Sequence, residues 1–246
     1  MTGFSVARKA LPAMPAPLRL LLTLIVLLGA GLLVGASFAR THKVTGSAMM
    51  PTLWPGDRLL VRPLRGGDLP ARGAVVLVQD GPVLRATRLI GLPGDRIGAT
   101  ESGLRFDGRV LPRFRVADFV LPATAGLPCP VAPTGGTCRI ARYREMTRDG
   151  RYRDVLPGGS ARPDARVPAG QMLLLGDARG GAVPRLVPLE TLKGRATKIL
   201  WSSTGEIGWT RFWRWGETLR PGRILLPLDR GTGEAKQRDD ERRRSL

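Results

Sequence analysis

An uncharged run near the amino terminus constrains this chain more than any other feature of its sequence. Residues 20–39 read LLLTLIVLLGAGLLVGASFA. Twenty helical residues at about 1.5 Å each cover a hydrocarbon core of roughly 30 Å, so the run predicts a transmembrane helix. A cleavable signal peptide is the alternative, because Ser37 and Ala39 are small residues at the spacing of a cleavage site. Its apolar core would span only about 7–15 residues, and the longer run favours an anchor.

Basic residues flank this run on both sides. Arg8, Lys9 and Arg19 precede it, and Arg40 and Lys43 follow it. With the terminal amine included, the arm before the run carries more positive charge than the residues directly after it. This difference favours an arm inside the cell and a body outside it. The predicted parts are a cytoplasmic arm at 1–19, a transmembrane helix at 20–39, a periplasmic domain at 40–230 and a disordered charged tail at 231–246.

The two cysteines fit the same compartment. Cys129 and Cys138 enclose the turn-rich segment CPVAPTGGTC. Two buried free thiols are the alternative interpretation. The surrounding stretch is polar rather than apolar, which favours a disulfide bond formed in an oxidising compartment.

The charge balance excludes some classes of partner. The chain has 39 Lys and Arg against 20 Asp and Glu, a formal net charge of +19, and only 5% aromatic residues. A nucleic-acid binder concentrates basic residues on one face and interleaves aromatic residues with them. In this chain the basic residues are spread along the whole sequence. We therefore expect no nucleic-acid partner, and contact with anionic lipid is favoured. One histidine and two cysteines cannot assemble a Cys/His zinc site, and we expect no metal and no cofactor.

Beyond the uncharged run, apolar segments of strand length alternate with turn signals. This pattern predicts an all-β fold built mainly from antiparallel sheets. Asp80-Gly81 and Asp107-Gly108 each stand between two such segments and predict hairpins. The predicted strands cover residues 58–61, 75–78, 83–90, 104–106, 109–111, 172–175 and 196–201.

An aromatic and basic cluster lies near the carboxyl end. Indole rings beside arginines prefer the lipid headgroup layer. An ordinary strand with one buried aromatic face is the alternative, and the predicted anchor favours membrane contact. The cluster consists of Trp209, Phe212, Trp213 and Trp215, with Arg211 and Arg214 between them.

Several short motifs stand in a diagnostic order. They are GSAMMPTL at 46–53, GDRLLV at 56–61, RGAVV at 72–76, RLIGLPGD at 88–95, GDAR at 176–179 and GRA at 194–196. In this order, covering residues 43–202, the chain resembles the bacterial type I signal peptidases. The resemblance implies a signal-peptidase-like β-fold on a single-pass protein of the inner membrane. It also implies a family reaction, the cleavage of hydrophobic N-terminal signal peptides by a serine nucleophile and a lysine base.

The catalytic positions of that family are altered here. The family places its serine directly before Met-x-Pro and its lysine directly before the arginine of the GLPGD block, and these positions hold Ala48 and Thr87. Neither a methyl group nor a neutral hydroxyl performs the missing step. The stretch 180–185 also lacks the hydroxyl and carboxylate groups that support the family's lysine. A histidine-based triad is excluded too, because the only imidazole, His42, lies beside the predicted span. The resemblance with these losses predicts a pseudoenzyme.

An active serine endopeptidase with a shifted nucleophile is the alternative. Ser47 is adjacent to the expected position, but it stands four residues before Pro51 rather than three. On a strand, that shift turns its side chain to the opposite face. A general base for Ser47 is also missing from the matching motifs.

The resemblance also assigns a substrate cleft. Met49, Leu53 and the strand residues Arg85, Ala86 and Thr87 match family positions that line it. Core packing is the alternative, favoured for Leu53, whereas Met49 is expected on the cleft wall and Arg85 is expected to fill or recharge the groove. In this family the substrate docks as an added β-strand. The expected partners are signal peptides or exported preproteins, membrane lipid and an active signal peptidase.

Overall fold

The structure is a computed structural model. It describes residues 15–37, 40–64, 67–100, 103–122, 129, 135–148, 150–159, 161–180, 182–204 and 215–228. Most of the predicted arm at 1–19 and the whole predicted tail at 231–246 lie outside the described residues.

The chain divides into two units, Met1–Ala39 and Arg40–Leu246. In the first unit, helix α1 covers Ala16–Ser37. Pro17 lies in its first turn, where a missing backbone N–H removes no helical hydrogen bond, and leucines and alanines of high helix propensity follow. Among the described residues, no helix is both long enough and apolar enough to cross a membrane. The transmembrane anchor stays a prediction.

Fifteen strands are described in the second unit. In chain order they are β1 Arg40–Lys43, β2 Asp57–Arg62, β3 Val75–Asp80, β4 Val83–Gly91, β5 Arg96–Thr100, β6 Gly103–Phe106, β7 Arg109–Val110, β8 Arg113–Pro122, β9 Thr137–Met146, β10 Tyr152–Val155, β11 Arg162–Arg166, β12 Gln171–Leu175, β13 Arg185–Pro188, β14 Leu192–Ser202 and β15 Leu226–Pro227. A short helix α2 covers Trp215–Thr218, before β15.

These strands form three antiparallel sheets. The largest has the order β1-β2-β14-β3-β4-β12-β13, and β15 pairs with β14. The two smaller sheets have the orders β10-β9-β8 and β11-β5-β6-β7. The predicted all-β fold with mainly antiparallel sheets is therefore confirmed.

Strand β3 lies at the centre of the core because both of its faces are covered. Val75 and Leu77 belong to one buried cluster, while Val76 and Val78 belong to another, which includes Met172 of β12. Burying a valine or leucine side chain stabilises the fold by about 1.5–3 kcal/mol. An uninterrupted apolar run such as VVLV is typical of a strand that is covered on both faces. Strand β4 pairs with this buried strand, which fixes the position of β4 in the sheet.

Both predicted hairpins are confirmed, one of them with a shifted turn. β3 continues to Asp80, which pairs with Val83, so the turn begins at Gly81, one residue later than predicted. The β6–β7 turn lies at Asp107-Gly108, as predicted. Both residues of this turn have positive φ, 48° and 79°, the backbone that the tight hairpin turn requires.

The predicted disulfide bond is also confirmed. Cys129 and Cys138 are bonded, with their Cα atoms 5.8 Å apart. Cys138 is buried on β9 in a cluster with Phe119 and Leu121 of β8. The bond therefore fastens Cys129 to the core of the β8–β9–β10 sheet.

Candidate peptide-binding groove

A groove of about 420 Å³ is lined by the segments that carry several of the sequence motifs. One side comes from the chain after β1 and another from the first half of β4. The lining residues are His42, 44–46, 48, 49, 78–80, 83–87, 174–176, Ala182, Val183, Arg185 and Val187.

Ala48 lies in a turn that is held by its backbone. The carbonyl of Ser47 accepts a hydrogen bond from the Met50 amide at 3.0 Å, which closes the turn. The carbonyl of Ala48 accepts another from the Ala178 amide, also at 3.0 Å. Gly176 approaches so closely that a Cβ there would lie 2.4 Å from the Ala48 oxygen. The exposed methyl group of Ala48 is thus fixed in the groove lining.

Thr87 lines the same groove from β4. It pairs with Val76 of β3, which fixes its position along the sheet. The side chain is half-buried and carries a hydroxyl group where the family's lysine would present an amine. The structure therefore brings Ala48 and Thr87 into one groove, although they are 39 positions apart in sequence (87 − 48 = 39).

The alternative nucleophile has a different position. Ser47 is half-buried and is not among the residues that line the groove. From the stretch 180–185, the lining includes Ala182, Val183 and Arg185, which supply neither a hydroxyl nor a carboxylate.

The other predicted cleft residues divide between groove and core. Arg85 and Ala86 line the groove. Met49 contributes to the groove lining, but its side chain is only 2% exposed. It therefore forms part of the groove wall and also packs in the core. Leu53 is fully buried in the same core cluster as Met49 and does not line the groove.

Half of β4 has an unpaired edge beside the groove. Residues 83–88 pair with β3 on one side. On the other side, β12 pairs only with residues 88–91. Within the part of the chain that the structure describes, residues 83–87 therefore have no strand on that side. Alternate residues of this five-residue edge direct their backbone N–H and C=O groups to the unpaired side, where an extended polypeptide can add as a further strand.

Comparison with known families gives a match. The family model described as signal peptidase, peptidase S26, matches residues 18–201. The chain belongs to this family. A comparison with curated proteins found no match.

A buried ion pair holds the groove of this S26 family member together. Arg88 follows Thr87 on β4 and donates through Nε to Asp177 Oδ1 at 2.7 Å, and its Nη2 donates to the other oxygen. The Thr52 hydroxyl donates to Asp177 Oδ2 at 2.5 Å, and Arg88 Nη1 donates to the Gly73 carbonyl at 2.8 Å. Arg88 is 3% exposed and Asp177 is fully buried. The network joins β4 to three segments, at Thr52, Gly73 and Asp177, and the Ala178 amide beside Asp177 binds the Ala48 carbonyl.

Opposing influences act on the pKa of Asp177. Burial alone would raise this pKa, but the charge and hydrogen bonds of Arg88 offset burial and hold the pKa below its usual value. The carboxylate is therefore ionised at neutral pH, as the paired guanidinium requires.

A charged cluster that sequence reasoning missed lies on the groove lining. Asp80 accepts two hydrogen bonds from Arg185, at 2.7 and 3.0 Å, and Arg85 Nε lies 2.9 Å from its Oδ2. Hydrogen bonding from Arg185 is the main cause that lowers the pKa of Asp80. The hairpin predicts part of this cluster, because Arg85 is the diagonal neighbour of Asp80 across β3 and β4. Arg185 is 105 residues away from Asp80 in sequence, and no local signal indicated it.

The only histidine is a further lining residue that sequence reasoning did not place there. His42 pairs with Leu59 along β1 and β2 and contributes to the groove lining. Burial lowers the pKa of His42, so its ring is neutral at pH 7. We find no hydrogen bond between this ring and any described residue.

The aromatic cluster cannot be placed at the groove. Trp209, Phe212 and Trp213 lie outside the described residues, and Trp215 begins helix α2. Their contact with lipid stays a prediction.

Proposed function

We propose that this chain is a membrane-anchored, signal-peptidase-like protein of preprotein export that binds signal peptides without cleaving them. The observation that carries the proposal is the pair Ala48 and Thr87, which line one groove at the positions of the family's nucleophile and base. The uncharged run at 20–39 supports anchoring, and the disulfide bond supports a periplasmic body.

Loss of chemistry follows from the side chains at these positions. A methyl group has no lone pair with which to attack an amide carbon. The Thr87 hydroxyl is a weak nucleophile unless a neighbouring base accepts its proton, and it cannot itself act as a general base. His42 is the one imidazole in the lining, and it makes no hydrogen bond with the hydroxyl of Thr45 or Thr87 within the described chain. The groove therefore holds no paired nucleophile and base among the described residues.

Binding does not depend on the missing groups. A polypeptide that adds to the free edge of β4 gains main-chain hydrogen bonds, each worth about 0.5–1.5 kcal/mol net. Small residues such as Ala48, Ala86 and Ala182 leave room for small side chains of the docked segment. Exported segments with small residues, or an extended segment of an active signal peptidase, are the partners that such a groove accepts.

The test measures binding and cleavage on the same protein. Full-length chain in detergent micelles is mixed with a fluorescent peptide that contains an Ala-x-Ala site, and anisotropy and product are followed together. We expect saturable binding and no product above background. Removing a serine hydrolase's nucleophile costs about a factor of 10⁶ in rate, so the readout is decisive. Turnover that Ser47→Ala abolishes would instead establish the shifted nucleophile.

A matched pair of variants assigns the binding to the groove. Ala48→Trp places a large ring in the groove from an exposed position, so the core is left intact. Val120→Trp adds the same ring at an exposed position on β8, outside the groove lining. We expect only Ala48→Trp to abolish binding. If both variants bind like the parent chain, the peptide binds elsewhere and the proposal fails.

A further inference from the structure

We propose that Arg85 makes the groove selective for polypeptide segments that carry an acidic side chain. This inference rests on the proposed function, because it names the class of segment that the groove binds. A cluster of Asp80, Arg85 and Arg185 on the groove lining supports it.

The cluster has an excess of positive charge. Two guanidinium groups converge on one carboxylate, which leaves a net charge of +1 beside the free edge of β4. Arg185 uses two nitrogens on Asp80, a bidentate arrangement that satisfies both carboxylate oxygens. Arg85 contacts Asp80 through Nε alone, and its side chain is 61% exposed. Its two terminal nitrogens have no hydrogen-bond partner among the described residues.

Asp80 also orients Arg85. Holding Nε at 2.9 Å restricts the rotation of a long side chain, so less conformational entropy remains to be lost when a ligand binds. The terminal nitrogens present a planar pair of donors, the arrangement that suits a carboxylate. Binding of an uncharged apolar side chain at this point would remove water from the guanidinium without replacing its hydrogen bonds, which is unfavourable.

The strand geometry defines where the acidic residue must lie. Arg85 and Thr87 are two residues apart on β4, so their side chains project from the same face. A segment paired with the free edge of β4 has a residue opposite Thr87 and another, two positions away, beside Arg85. Oppositely charged neighbours across paired strands contribute roughly 0.2–1 kcal/mol. We therefore expect up to about a fivefold preference for an acidic side chain at that position.

The experiment uses paired peptides on the full-length chain. Each Ala-x-Ala peptide carries either Glu or Gln at one position, and that position is scanned over x and over the two residues on each side of the motif. At low salt we expect one position at which the Glu peptide binds up to about fivefold more tightly than its Gln partner. This preference should decline as ionic strength rises, because the pair is exposed.

Charge-matched variants locate the source of the preference. Arg85→Gln removes one positive charge in the groove. Arg139→Gln removes one at an exposed position on β9, outside the groove lining. We expect Arg85→Gln to bring the ratio of Glu-peptide to Gln-peptide affinity close to one, and Arg139→Gln to preserve the ratio of the parent chain.

The possible results separate this inference from the proposed function. Equal binding of Glu and Gln peptides at every position, or a preference that survives in Arg85→Gln, would overturn the role of Arg85 and leave peptide binding standing. If no peptide of either series binds, the proposed function fails as well.

Discussion

Replacement of Asp177 by alanine tests whether one buried ion pair holds the groove together. Asp177 is fully buried and accepts hydrogen bonds from Arg88 and Thr52. Its removal leaves the Arg88 guanidinium, 3% exposed, without a counter-charge. Breaking a buried pair by removing one partner typically costs about 3–5 kcal/mol. For a domain of about 200 residues, this corresponds to a fall in Tm of roughly 6–20 °C.

The assay is thermal and chemical unfolding of the full-length chain, with peptide binding measured in parallel. Asp118→Ala is the matched control, because it removes a carboxylate from an ion pair with Arg115 that is partly exposed. Exposed pairs contribute about 0–1 kcal/mol, so the control should lie close to the parent chain. A double variant, Arg88→Met with Asp177→Leu, removes both charges and should recover much of the stability that Asp177→Ala loses.

The pH dependence provides a second readout of the same pair. The folded-state pKa of Asp177 is lowered, so its stabilising contribution is fully present above the unfolded-state value, near 4. That contribution is lost as the pH falls through the folded-state pKa. The stability gap between the parent chain and Asp177→Asn should therefore be constant near neutral pH and narrow in strong acid. A cost for Asp177→Ala no larger than that for Asp118→Ala would show that the Arg88–Asp177 pair is not desolvated and does not hold the groove together.

Three further changes have expected outcomes of their own. Gly176→Ala should destabilise the fold and weaken peptide binding, because its new Cβ would lie 2.4 Å from the Ala48 oxygen; Gly46→Ala, with no atom within 4 Å, is the control for stability. Reduction of the disulfide bond should lower the free energy of unfolding by about 2–3 kcal/mol, because the bond closes a short loop of sequence separation 9. Ala48→Ser combined with Thr87→Lys should cleave an Ala-x-Ala preprotein above the level of either single variant, since both positions line one groove; peptide binding without cleavage would show that the two side chains are not oriented for reaction.

The sequence predicted those parts of the fold that depend on local signals. VVLV at 75–78 and the two Asp-Gly turns are short-range patterns, and the structure confirms the strands and hairpins they imply. Strands β8 and β9 were not predicted. Their sequences, RFRVADFVLP and TCRIARYREM, interrupt the apolar alternation with arginines. Several of these arginines are neutralised only by tertiary contacts, such as Arg144 with Asp154, which the sequence does not reveal.

The candidate site divides in the same way. The positions of Ala48 and Thr87 follow from linear motifs, and the structure places both in one groove. The contribution of Arg185 could not be predicted, because it depends on an ion pair to Asp80 between distant segments. His42 was interpreted only from its position beside the uncharged run. Its place in the lining follows from the pairing of β1 with β2, which sequence proximity does not indicate.

The energetics explain how this fold accommodates Ala48 and Thr87 in its groove. Ala48 is exposed and Thr87 is half-buried, and within the described chain both positions are held through their backbones. A change of side chain there removes no buried ion pair and opens no large cavity, so it has little effect on stability. Arg88 and Asp177 differ, because each leaves an unpaired buried charge when the other is lost. The stability of the groove therefore depends on the Arg88–Asp177 pair and little on which side chains stand at positions 48 and 87.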